Sequence, residues 1–170
     1  MDKTRFIQEL IDGHSDVTLI TRPRRFGKTL AMSMLYYFFS NENAEENRRL
    51  FDGCAIAGAG EAYMAEQGTR PVIFLTLKDT KAANYASMVE LIAETLREAY
   101  RSFFFLLDSG DLIEEEKETF RKILGKKAAE AEMQSAIKVL SQHLQRHFQK
   151  VWTYGIAFCG KRLEMARNLG

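Results

Sequence analysis

The sequence predicts an α/β fold, a parallel sheet with flanking helices that is incomplete and helix-rich, and three observations predict it. Val17-Thr18-Leu19-Ile20-Thr21 is short, β-branched and apolar, which suits a buried parallel strand. Directly behind it, Arg22-Pro23-Arg24-Arg25-Phe26-Gly27-Lys28-Thr29 leads into a stretch where Leu30, Met34 and Phe38 recur every fourth residue beside a second row of Ala31, Leu35 and Phe39. A second apolar run, Pro71 to Leu77, comes later, and most of the remaining chain has helical spacing.

Taken in order, residues 3–11 have helical composition, and Gly13-His14-Ser15-Asp16 makes a turn before the first strand. The strand, loop and helix occupy about 17–40. Ser40-Asn41-Glu42-Asn43 breaks that helix, Ala44 to Leu50 reads as a short polar helix, and the glycines at 53, 58, 60 and 68 mark a loop with at most a helical turn. Pro71-Val72-Ile73-Phe74-Leu75-Thr76-Leu77 reads as the second strand. A long helix is expected next, its stripe running from Met88 through Leu91, Leu96, Tyr100, Phe103 and Phe104 to Leu107, with Ser87-x-x-Glu90 as its capping box. Helices over Leu112 to Leu124 and Ala128 to Phe148 complete the pattern, and Val151 to Cys159 has strand character.

Gly27-Lys28-Thr29 between a strand and a helix has the order of a P-loop NTPase-like unit. Such a loop works by aiming backbone N–H groups and the positive end of the following helix at phosphate oxygens. Lys28 would reach the β/γ-phosphates, and Thr29 would offer its hydroxyl to Mg²⁺, making it the candidate metal ligand. The candidate nucleotide-binding segment comprises Arg24, Arg25, Phe26, Gly27, Lys28, Thr29 and Leu30, with ATP and Mg²⁺ as the cofactors. The motif departs from G-x-x-x-x-G-K-[ST] at one place, where Arg22 stands for the first glycine. The plain alternative is a helix N-terminus with a solvated lysine.

A chain of 170 residues, 46% hydrophobic, can bury one core. Its 24 Lys and Arg balance 23 Asp and Glu, which disfavours a chain built to coat nucleic acid or an anionic membrane. Cys54 and Cys159 lie far apart without metal-ligand spacing, which fits reduced thiols in a cytoplasmic protein. No run approaches a membrane span, and Met1-Asp2-Lys3-Thr4-Arg5 leads into no signal-type apolar core.

Four features imitate functional sites. Phe103-Phe104-Phe105-Leu106-Leu107-Asp108 has the letters of a Walker B strand but continues a helical stripe, and reads as a helix end. Asp79, after the second strand, is a weak metal candidate. The tail Gly155-Ile156-Ala157-Phe158-Cys159-Gly160-Lys161-Arg162 has P-loop spacing with Arg162 where Mg²⁺ needs a hydroxyl. His143 and His147 stand four apart on a helix with no sequence neighbour to complete a metal site, and read as helix surface.

With these residues in view, the chain resembles the AAA-ATPase-like family of bacterial and archaeal proteins, in which a P-loop domain precedes a PD-(D/E)XK nuclease-like domain. Asp2-Lys3-Thr4-x-Phe6-Ile7-x-Glu9-Leu10-Ile11-Asp12 is similar to the family's opening segment. Arg22 to Thr29 is similar to its Walker A, whose first glycine is replaced, and 71–79 with the helices through Gln149 is similar to the family's next region. The resemblance implies an ATPase domain over 1–151 and, over 152–170, a remnant similar to the C-terminal strand of the nuclease-like domain. It also implies a Walker B strand ending in Asp-Glu after Val151, and these 170 residues contain none, as an internal deletion would leave them. Residues 151–159 are expected to take that strand's place beside the P-loop strand.

No catalytic residue can therefore be assigned. Loss of the acids that hold Mg²⁺ and orient water costs several kcal/mol, on the order of a thousandfold in rate. The expectation is an ATP-binding protein of ATPase lineage with weak or no turnover, with a nucleotide and a protein partner or second copy as its partners. The rival is a non-enzymatic interaction module without nucleotide binding.

Overall fold

The computed structural model describes residues 2–13, 17–19, 27–77, 82–148 and 155–157. The chain divides into two compact units, one of Met1–Val72 with Trp152–Gly170 and one of Ile73–Val151.

In the first unit, helix α1 (Arg5–Asp12) buries Ile7 and Leu10, three apart on one face. Strand β1 (Val17–Leu19) comes next, then α2 (Lys28–Phe39), α3 (Ala44–Arg48) with a 3₁₀ turn over Arg49–Phe51, and the single-turn α4 (Glu61–Met64). Leu35 and Phe38 of α2 join Ile7, Leu10, Phe51 and Ile56 in one core, with Phe38 and Phe51 edge to face at 5.2 Å. Beyond α2, the Gly68 amide donates to the Phe38 carbonyl at 2.8 Å and the Arg70 amide to that of Phe39 at 2.9 Å. These bonds lay residues 68–70 along the helix exit. Gly68 is required there, since it holds φ 70° and a Cβ on it would stand 2.7 Å from that of Ala44.

The second unit contains α5 (Tyr85–Arg101), a 3₁₀ turn over Phe104–Leu107, α6 (Glu114–Leu124) and α7 (Glu130–His147). Its core gathers Leu96, Tyr100, Leu106, Phe120, Ile123 and Leu140 among others. The Tyr100 hydroxyl, buried with its ring against Phe120, donates to the Ala136 carbonyl at 2.7 Å. Burial raises the Tyr100 pKa above its ordinary value, so the phenol stays protonated. Both α6 and α7 begin with an acid that turns back on the chain. Glu116 accepts from the Ile113 amide at 3.1 Å, and Glu132 from that of Ala129 at 2.6 Å.

The expected fold class requires correction. A parallel-sheet P-loop NTPase-like fold is not what the described residues form; they are dominated by helix. Their β structure consists of a three-residue parallel pairing of β1 with β2 (Gly155–Ala157), Val17 opposite Gly155 and Leu19 opposite Ala157, and one parallel bridge between Ser40 and Arg70. Such a fragment is not a sheet that helices can flank. Pro71 to Leu77 forms no strand, although it reads as one; a parallel strand is covered on both faces. Here Ile73 packs into the second core while Phe74 and Leu77 stay exposed, Leu77 by 64%.

Helix limits differ from the spacing as well. The α5 cap is Asn84, whose side chain accepts from the Ser87 amide at 2.8 Å, so Ser87 lies inside the helix. The helix stops at Arg101, and Phe103 to Leu107 belongs to the following turn, with Phe104 exposed.

Phe38→Ala should lower unfolding free energy by about 3–5 kcal/mol, as a large-to-small change in a packed core does. Tyr100→Phe should cost only about 1 kcal/mol, one net hydrogen bond. Urea denaturation of the two variants checks the order; an equal loss would place Tyr100 in a larger polar network than its single bond.

Candidate functional site

Gly27 caps α2 in the left-handed region, at φ 73° and ψ 24°, a conformation that glycine alone takes without penalty. Its carbonyl already accepts the first helical bond, from the Ala31 amide at 2.9 Å. Ahead of that bond, the first-turn amides of an α-helix have no acceptor within the helix and point outward along its axis. Lys28 opens the helix and is partly buried, as is Gly27, whereas Thr29 and Leu30 are exposed, Leu30 by 66%. No acid lies in this first turn. A positive helix end favours negative charge, and within this first turn the helix itself supplies none.

The structure brings Gly27, Lys28, Thr29 and Leu30 together at one helix start. Arg24, Arg25 and Phe26 lie outside the described residues, as do Arg22, Asp79 and Lys161. Asp108 closes a 3₁₀ turn, so the Walker B look-alike is helical turn and not strand.

Sequence reasoning assigned no role to the segment before α1. Asp2 accepts from the Thr4 amide at 2.7 Å, the Thr4 hydroxyl at 2.8 Å and, through its other oxygen, the Ala55 amide at 2.6 Å. Thr4 Oγ1 in turn accepts from the Ile56 amide at 3.0 Å. These donors hold the Asp2 carboxyl below the usual carboxylate range, the Thr4 amide foremost. Between the two clasped residues stands Lys3, and a Cβ on Gly27 would lie 3.1 Å from its Nζ. The signal was present: Asp-x-Thr before a helix is the pattern of side chains that bond nearby backbone.

Of the two histidines, His147 is exposed as expected and His143 is not. His143 is 2% exposed, not surface, and its Nε2 lies 3.6 Å from Glu116 Oε1. Glu116 is held by Arg146 at 2.6 Å, and His147 Nδ1 stands 2.5 Å from Asp111. Acidic partners thus come from α6 and the turn before it, which spacing along α7 cannot reveal. Among the described residues, no group of three or more His, Cys, Asp or Glu is arranged to hold a metal.

The family model described as a predicted AAA-ATPase matches residues 1–152, so the chain belongs to the AAA-ATPase-like family. The match spans the Asp2–Thr4 clasp, Gly27-Lys28-Thr29 and the whole of the second unit. No curated protein and no solved structure matches the chain significantly. Among the described residues, no helix is long and apolar enough to cross a membrane.

His143 supplies a pH dependence. Burial lowers its pKa from an ordinary value near 6.5, against the opposing pull of Glu116, with Arg146 adding to the lowering. The unfolded chain then binds more protons than the folded one below that value. The stability linked to His143 is full above 6.5 and is lost as pH falls through 6.5 toward the folded pKa. Urea unfolding of the wild type should weaken from about pH 7.5 to about pH 5.5 more than that of His143→Phe. Parallel pH profiles for the two would refute this.

Proposed function

We propose that this chain binds ATP with Mg²⁺ at the start of α2 and hydrolyses it weakly or not at all. The observation that carries the reading is the family match across a Gly27-Lys28-Thr29 motif whose glycine adopts the left-handed cap of a helix free of acids in its first turn. Outward amides and the helix dipole favour phosphate oxygens there, and Lys28 adds a full charge. Arg24 and Arg25, adjacent in sequence, add further charge at the loop. The exposed Thr29 hydroxyl would help hold a Mg²⁺, whose charge would offset that of the phosphates. Turnover needs in addition a carboxylate pair at the end of an apolar strand, and no stretch of these 170 residues supplies one.

Titration with a fluorescent ATP analogue tests the reading. The wild type should bind in the presence of Mg²⁺, and Lys28→Ala should weaken binding by about tenfold or more, the effect of losing one charge-assisted contact. Phosphate release should stay near background in both. Binding that is absent, or indifferent to Lys28→Ala, would sink the reading; Mg²⁺-dependent release abolished by Lys28→Ala would overturn the part concerning hydrolysis.

A further inference from the structure

We infer that Lys3 is a second phosphate-contacting cation of the α2 site, held in place by the Asp2–Thr4 clasp; this rests on the proposed nucleotide binding at α2. Lys3 is far from the loop in sequence but its ammonium stands against Gly27, 3.1 Å from where a Cβ would be. The glycine is required for its backbone conformation, and its missing side chain leaves this ammonium room to approach.

The position is built. Asp2 fixes the residue before Lys3 by bonding the Thr4 amide and hydroxyl and the Ala55 amide, and Thr4 fixes the residue after it through the Ile56 amide. Thr4 is itself buried, and α1 begins at once with Ile7 and Leu10 in the core. The backbone on both sides of Lys3 is therefore pinned to the 55–56 turn, which limits where its side chain can reach.

No contact among the described residues makes the ammonium a structural ion pair. The adjacent carboxylate of Asp2 is committed to three donors through both oxygens. Lys3 forms no salt bridge among the described residues, and the first turn of α2 contains no acid. A cation beside a helix N-terminus is disfavoured by the dipole. An anion from outside turns that repulsion into attraction, and a phosphate group is the anion the loop already suits.

The test uses the full chain and four proteins: wild type, Lys3→Met, Lys3→Arg and Lys28→Ala, each titrated with fluorescent ATP and Mg²⁺ and melted without nucleotide. Lys3→Met should raise the ATP Kd by about tenfold and flatten its dependence on salt, while Lys3→Arg stays within about threefold of wild type. Unliganded Lys3→Met should melt no lower than wild type, because removing a cation from the helix start relieves repulsion. If wild type binds and Lys28→Ala weakens binding but Lys3→Met does not, this inference fails and the loop reading stands. If wild type does not bind, or Lys28→Ala binds as well as wild type, the loop reading fails and takes the inference with it. Equal loss in Lys3→Arg and Lys3→Met, with lowered melting in both, would make Lys3 a packing residue and also overturn it.

Discussion

Phe38 is the contact on which the first unit's geometry depends. Its ring is fully buried against Phe51, and its carbonyl accepts the Gly68 amide. Side chain and backbone therefore fix the C-terminal end of α2 at one point. Leu35, a turn earlier, adds a second attachment to the same core. Toward the N-terminus the helix loses cover, with Thr29 and Leu30 exposed. A rigid helix transmits its anchored end to its free end, so the direction in which its first-turn amides point is set about ten residues away, by aromatic packing. The Asp2–Thr4 clasp closes on residues next to that core, since Ile56, whose amide Thr4 receives, is one of its members. The loop start and the segment beside it are thus referred to a common set of apolar contacts.

The second unit is held differently. Its helices meet over a larger core that also contains directed polar contacts: Tyr100 on the Ala136 carbonyl, and Glu116 receiving Arg146 while facing His143. Apolar area supplies most of the free energy, and these bonds fix which residue of α7 stands against which residue of α5 and α6. His143 is the weak point of that scheme, a buried base whose Nδ1 has no hydrogen-bond partner among the described residues. Neutral, its ring packs in the core at modest cost. Charged, it has Glu116 as its counter-ion, and that carboxylate is already shared with Arg146.

How much of the fold could be read from the sequence depends on which forces are local. The helices α1, α6 and α7 fall close to where apolar spacing places them, because a helix satisfies its own backbone and needs only one packed face. The start of α2 at Gly27-Lys28 was legible for the same reason, being set by a short-range pattern of backbone. The run Val72 to Leu77 was misread because a strand is defined by neighbours that the local sequence does not name. The same letters suit a strand or an extended connection, and here Ile73 packs among helices while Phe74 and Leu77 face outward. Lys3 beside Gly27, and Glu116 beside His143, were invisible for a related reason. Each pair is brought together by folding across a long sequence separation, and neither residue carries a local mark of its partner.

The distribution of acids at helix starts gives the α2 site its physical meaning. Where the chain satisfies a positive helix end from within, it does so plainly: Glu45 and Glu46 open α3, Glu114 to Glu116 open α6, and Glu130 and Glu132 open α7. Helices α1 and α5 have no acid in the first turn, and α5 uses an Asn84 cap instead. At α2, as at α1, neither solution is used. Its cap is a left-handed glycine without a side chain, its first residue is a lysine, and a second lysine approaches from the clasped segment. Each of these choices forgoes stability that the chain obtains elsewhere with an acid or an Asn. Local rules of this kind are broken where a ligand completes the interaction, and the proposed function gives that ligand as an anion. Binding and turnover then separate physically. Under the proposed function, ground-state attraction would draw on amides and cations near Gly27, whereas transition-state stabilisation needs carboxylates placed to hold a metal and a water, a requirement that charge at the helix start cannot meet.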